Sequence, residues 1–153
     1  VEAGANVNAT DNEARTPLHA SAFNGRMEVS QMLVGAGADV NATDGQGRTP
    51  LHASATEGYV DVSQVLIGAG ANVNATGDNE WTPLHLSAFN DNVEVSQMLV
   101  GAGANVHIMN TLGSTPLDLA KQEGLSDTVS LLQQVLEAEP LTKSAAQGGA
   151  ADQ

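Results

Sequence analysis

Three histidines, His19, His52 and His85, recur at a constant interval of 33 residues. Histidine is the side chain most used for metal ligation and proton transfer near neutral pH. Equivalent positions in stacked helical units lie about 10 Å apart, too far to share one ion with ligand bonds of about 2 Å, so no metal site is expected. Nucleophilic chemistry fares no better. Ser21 follows His19 in the run Leu18-His19-Ala20-Ser21, but near neighbours on a helix do not face each other, and no third side chain orients the pair. With Cys 0 the chain has no thiolate nucleophile, thiolate zinc site or disulfide. Gly35-Ala36-Gly37-Ala38 lacks the Gly-Lys-Ser/Thr ending of a phosphate loop and follows a helical pattern rather than a strand. The carboxylates fall mostly at matching positions of a repeat, as on a solvated acidic surface, rather than as facing acid and base. No catalytic residue, no cofactor and no enzymatic activity are expected.

The elements that carry these residues come from a tandem repeat. Thr-Pro-Leu-His stands at 16–19, 49–52 and 82–85, and Thr-Pro-Leu-Asp at 115–118, each start 33 residues after the last. Residues 11–43 and 44–76 share 22 identities in 33 positions, a regularity of repeat arrays. Thr16, Thr49, Thr82 and Thr115 are predicted N-caps, each followed by a proline that suits the first helical turn. Gly25 and Gly58 end the first helix of their units, and a second helix opens at Met27, Val60 and Val93 with an acidic residue at the positive end of its dipole. Val29, Leu33 and Val34, with Val62, Leu66 and Ile67 and with Val95, Leu99 and Val100, recur at helical spacing and predict one apolar face. Gly37, Gly70 and Gly103 close that helix. The stretch Ala38 to Arg48 alternates turn residues with extended ones and reads as a hairpin.

Composition agrees with thin, repeated layers. The chain has 153 residues and a formal net charge of -13, with 5 Lys+Arg against 18 Asp+Glu. Such a surface repels phosphate backbones, which excludes direct nucleic-acid binding. Apolar runs fall far short of the roughly 18 residues of a membrane span, so no membrane insertion is expected. The first residues lack the basic start and apolar core of a secretory signal, which predicts an intracellular, cytoplasmic location. Aromatics are only 3% and Gly 16, so small residues must fill much of the interior.

The period, the Thr-Pro-Leu-His box, the Gly-Ala-Asp-Val-Asn-Ala ending and the paired short helices together resemble the ankyrin repeat. The resemblance implies an all-α solenoid of stacked helix-turn-helix units with short β-hairpin loops. It assigns 1–10 to the tail of a truncated preceding repeat, 11–43, 44–76 and 77–109 to full repeats, 110–139 to a C-terminal capping-like repeat and 140–153 to a flexible tail. It implies an interaction module or scaffold that binds another protein through its concave groove and hairpin tips; the acidic surface adds the expectation of a partner with a basic surface, and the chain is expected to be monomeric. The alternative it leaves open is an architectural or regulatory segment of a larger enzyme or channel whose activity lies outside residues 1–153. In ankyrin proteins the box histidine hydrogen-bonds the box threonine and neighbouring loops, which makes Thr16, His19, Thr49, His52, Thr82 and His85 structural. Asn8, Asn41 and Asn74 satisfy the glycosylation pattern, but each is also what the ankyrin hairpin supplies by default.

Positions that vary between units mark the expected binding face, since in ankyrin proteins the hairpin tips and the ends of the first helices face the groove. The candidates are Arg15, Phe23, Asn24, Gln46, Arg48, Glu57, Asp78, Trp81, Phe89, Asn90 and Lys121. They hold three of the four aromatics and three of the five basic residues, and Trp and Arg are enriched in binding hot spots. Three departures from the pattern carry further expectations. Asp91 replaces the glycine of Gly25 and Gly58 and must take the left-handed conformation, turning the third repeat slightly differently. Ser21, Ser54 and Ser87 replace the usual alanine and bury hydroxyls that need partners. His107 replaces the hairpin asparagine and is read as a loop residue without a partner.

Overall fold

The structure, a computed structural model, describes residues 5–139. The flexible tail expected over 140–153, and residues 1–4 of the expected preceding tail, lie outside the described residues. Among the described residues eight α-helices follow one another: α1 Pro17–Phe23, α2 Met27–Gly35, α3 Pro50–Glu57, α4 Val60–Gly68, α5 Pro83–Phe89, α6 Val93–Gly101, α7 Pro116–Gln122 and α8 Ser126–Glu137. The first helices α1, α3, α5 and α7 pack side by side in one row, and α2, α4, α6 and α8 form a second row behind them.

Local chemistry sets each boundary. Thr16, Thr49 and Thr82 adopt extended backbone, and their hydroxyls accept from the N–H of His19, His52 and His85, which satisfies an otherwise orphaned donor. The histidine then bonds back to the threonine N–H, closing a reciprocal capping box. At Thr115 an aspartate serves instead, with Asp118 Oδ2 accepting from Thr115 N at 3.0 Å. Helices α2, α4 and α6 end alike: at α2, Gly37 N donates to Val34 O, and Ala38 N to Leu33 O at 2.9 Å. Gly37 has φ +96°, which a side chain rarely adopts.

Between α1 and α2, Gly25 is required twice over. Its φ is +69°, and a Cβ there would come 2.9 Å from Tyr59 Cε1. Asp91 takes the same left-handed conformation, φ 58°. Asp91 N→Ala88 O and Asn92 N→Ser87 O repeat the closing bonds of Gly25 N→Ala22 O and Arg26 N→Ser21 O, so the third repeat turns as the first does, contrary to expectation. The Asp91 side chain gains a partner that glycine would lack: Oδ1 accepts from the buried Thr128 hydroxyl of α8 at 2.7 Å.

The core lies between the two rows. Leu18, Leu51 and Leu84 of the first helices meet Leu66, Leu99 and Leu132 of the second, all fully buried. Burial of a leucine side chain stabilises the fold by about 1.5–3 kcal/mol. Ser21, Ser54 and Ser87 find their partners in the same layer, as Ser30, Ser63 and Ser96 of the following helix lie 2.7–2.8 Å away. Each pair is sealed from water, and each first-helix serine also donates to a backbone carbonyl three residues earlier.

Two expectations fail at the edges of the array. Val29 is 42% exposed, whereas its equivalents Val62 and Val95 are 1% exposed. Helical spacing identifies a face that can be covered; the covering is done by the preceding second helix, which α2 lacks among the described residues. His107 does have a partner, because its Nε2 lies 3.0 Å from Glu139 Oε2, just past the end of α8.

The loops depart from hairpins in the strict sense, since no strand occurs among the described residues. Each is a turn closed by two bonds at 2.9–3.0 Å: Asp11 N→Arg15 O, Asp44 N→Arg48 O, Gly77 N→Trp81 O or Asn110 N→Ser114 O, and inside it Ala14 N→Asp11 O, Gly47 N→Asp44 O, Glu80 N→Gly77 O or Gly113 N→Asn110 O. Successive tips are stitched together by Gly45 N→Glu13 O, Asp78 N→Gln46 O and Thr111 N→Asn79 O, at 2.8–2.9 Å. A second seam uses asparagine. Asn8, Asn41 and Asn74 each accept through Oδ1 from the N–H of Asp39, Asn72 and Asn105 in the next unit, at 2.7–2.8 Å. Their amide nitrogens donate to Gly37, Gly70 and Gly103. The three sequon asparagines are thus engaged through both ends of the amide.

Candidate protein-binding groove

The inter-repeat turns 11–15, 44–48, 77–81 and 110–114 project as fingers, and the box histidines position the last three. His52 Nδ1 accepts from Thr49 N at 3.0 Å, and its Nε2 lies 3.0 Å from Trp81 O. A carbonyl only accepts, so the proton sits on Nε2 and the ring is neutral. His19 reaches Arg48 O at 2.8 Å and His85 reaches Ser114 O at 2.9 Å in the same way. Burial pushes the His52 and His85 imidazoles below their ordinary value, although the backbone contacts at Trp81 and Ser114 oppose this. Each histidine therefore joins the start of its own first helix to the root of the next finger, fixing where residue 48, 81 or 114 leaves the scaffold.

At the first two finger roots an aspartate holds the arginine four residues later. Asp11 Oδ1 accepts from the N–H of Glu13 and Arg15, and its Oδ2 from Arg15 Nε at 2.9 Å. Arg15 also contacts Glu13 at 3.3 Å. The N–H of Arg15, with that of Glu13 and the guanidinium itself, holds the Asp11 carboxyl below its ordinary range, and the hydrogen bond to Asp11 raises Arg15 in turn. Asp44 repeats the arrangement, accepting from Gln46 N, Arg48 N and, at 3.3 Å, Arg48 Nε. Burial pushes the Asp44 carboxyl up, but the Arg48 and Gln46 N–H groups and the guanidinium together hold it down. The third finger breaks the pattern. Gly77 stands where the aspartate stood and Trp81 where the arginine stood. Its tip is a short 3-10 turn over Asp78–Glu80, with Asn79 and Glu80 both at positive φ. Two consecutive non-glycine residues there cost on the order of 1–2 kcal/mol each.

Two hollows open between fingers and first helices. One, of about 330 Å³, is walled by Arg15 and Arg48, with Phe23 and Asn24 at the end of α1 and Ala20 and Ala53 on the helix faces. The other, of about 430 Å³, is lined by Asp78, Trp81, Leu86, Phe89 and Asn90, again with Arg48. Arg48, His52 and Thr56 border both, so the hollows form one groove. In the second, Trp81 and Phe89 meet edge to face, centroids 5.6 Å apart at 78°, and Trp81 leans on His85 at 5.9 Å.

Of the residues singled out by sequence, Arg15, Phe23, Asn24 and Arg48 line the first hollow, and Arg48, Asp78, Trp81, Phe89 and Asn90 the second. Gln46, Glu57 and Lys121 are exposed and line neither. Sequence reasoning passed over Asp11 and Asp44, although their spacing of four residues before an arginine was visible. It also passed over Ala20, Ala53 and Leu86, one repeat position that sets the depth of the floor.

A family model described as Ankyrin repeats (3 copies) matches residues 1–77 and 64–144. A search of curated proteins returned no match. With the capping boxes, two-row helical stack and family match in agreement, the chain belongs to the ankyrin-repeat family.

Proposed function

We propose that this chain is a protein-binding module or scaffold that takes a segment of a partner protein into the groove formed by fingers and first helices. Ankyrin repeats generally serve as protein-interaction modules, and among the described residues no helix is long and apolar enough to cross a membrane. The observation that carries the reading is the half-exposed Trp81–Phe89 pair beside Arg48, in a groove continuous over two hollows. An aromatic pair left at the surface exposes apolar area that a partner would bury, and Trp and Arg are the types that dominate binding energy. The chain acts as a monomer, and its net charge of -13 steers in a partner with a basic surface while repelling nucleic acid.

The test uses peptides selected on the chain from a random display library. Trp81→Ala and Arg48→Ala should each weaken their binding by at least about 1 kcal/mol, roughly five-fold, with helix content by circular dichroism intact. Gln64→Ala and Gln97→Ala, at exposed positions of the second row, should leave it unchanged. Ligands sensitive to the glutamines and indifferent to Trp81 and Arg48 would put the binding face elsewhere.

A further inference from the structure

We infer that the groove is electrically polarised and selects a partner segment with an acidic side chain over Arg48 and a basic side chain over Trp81 and Phe89, one repeat further along. This deepens the protein-binding reading and presupposes that the groove is the binding face.

Cations and carboxylates are unevenly spread along the array. Residues 49–120 contain seven Asp or Glu and no Lys or Arg, so every cation bordering the groove's two hollows is at Arg15 or Arg48. These two arginines are not equivalent. Arg15 is engaged through Nε with Asp11 and through a terminal nitrogen with Glu13. Arg48 is engaged through Nε alone, at 3.3 Å from Asp44, with half its side chain exposed. Among the described residues its two terminal nitrogens meet no acceptor. Asp44 itself is fixed beneath by the N–H groups of Gln46 and Arg48. The guanidinium is thus held in place with its outer edge presented, the geometry that receives a carboxylate through two parallel bonds.

The second hollow has the opposite chemistry. The edge-to-face pair leaves aromatic surface towards solvent, with Phe89 41% exposed. Asp78 lines the same hollow, and among the described residues it has no cationic partner. Aromatic faces beside an uncompensated carboxylate attract an ammonium or guanidinium. Arg48 at the near edge disfavours a base close to it and so displaces the base toward Asp78 and Phe89. An acid at one end and a base at the other follow from the same arginine. One repeat is about 10 Å, which an extended chain covers in about three residues.

The probe is again a random-peptide display library, selected on the whole chain and on two charge-reversed variants. The expected consensus pairs Asp or Glu with Lys or Arg, three positions apart in an extended ligand or seven along a helix. Neutralising either peptide charge should weaken binding about ten-fold. Selection on Arg48→Glu should replace the acidic position by Lys or Arg and keep the basic one; selection on Asp78→Lys should do the reverse. If Arg48→Glu loses helix content, Arg48→Gln should abolish the acidic preference without reversing it. Peptides that depend on Trp81 and Arg48 but carry no acid–base pair, or do not respond to the reversals, would overturn the polarity and leave the groove intact. Peptides indifferent to Trp81→Ala and Arg48→Ala, or no selected peptide at all, would overturn the groove and the polarity together.

Discussion

Replacing His52 by alanine should cost about 2–4 kcal/mol, and the structure says where the loss arises. The imidazole is 1% exposed. It accepts from Thr49 N at 3.0 Å, contacts Thr49 Oγ1 at 2.9 Å and donates to Trp81 O at 3.0 Å. Alanine leaves the buried Thr49 N–H without an acceptor, at about 1–3 kcal/mol. The Trp81 carbonyl loses one of its two donors but keeps the Gly77 N–H at 2.9 Å, and Trp81 is only half-buried, so water offsets much of that loss. His52→Asn separates the two contributions. A shorter acceptor keeps the cap, as Asp118 does at Thr115, yet it cannot span to the next finger, so the variant should fall between wild type and alanine. His107→Ala is the control: its pair with Glu139 is exposed, and such pairs are worth less than about 1 kcal/mol. Urea denaturation followed by circular dichroism ranks all three. If His52→Ala costs no more than His107→Ala, the histidine box is not a structural joint.

Acidification should weaken the fold as pH falls through the ordinary histidine value near 6.5. Burial depresses His52 and His85 in the folded state, so the unfolded chain binds protons first. Stability is then fully present above that value and is lost as pH falls toward the folded-state value; a urea midpoint equal or higher at pH 5.5 than at pH 8 would contradict the neutral-ring assignment. Amide exchange should be faster in residues 11–34 than in 49–100, because Val29 and Met32 are open to solvent whereas Val62 and Val95 are covered; equal protection would show that neighbour stacking is not limiting. Asp91→Gly should destabilise by about 1 kcal/mol despite restoring the residue of the other turns. Relief of the left-handed backbone is worth about 1 kcal/mol, whereas the fully buried Thr128 hydroxyl loses its acceptor at about 1–3 kcal/mol. A stabilised variant would mean that Thr128 finds another partner.

What was legible in the sequence is what neighbours along the chain decide. Threonine three residues before histidine is a cap whatever surrounds it, and a 33-residue recurrence of caps and stops implies stacked units. The left-handed turn at Asp91 was readable for the same reason, since its backbone is set by its own helix end. Tertiary structure decided what depends on surfaces meeting across units. The sequence marks the buried serines as needing partners, but Ser30, Ser63 and Ser96 become those partners only because α2, α4 and α6 fold back against the preceding helix. His107 looked partnerless until α8 brought Glu139 beside it. Val29 and Val62 are the same residue in the same pattern, yet one is exposed and the other sealed, because burial belongs to the neighbour that covers a face and not to the face. The groove follows the same rule. Trp81 and Phe89 are legible as variable positions, but their edge-to-face contact exists only where loops and first helices converge, whereas the contrast between a closed Arg15 and an open Arg48 is local, set by Glu13 against Gln46 two residues earlier.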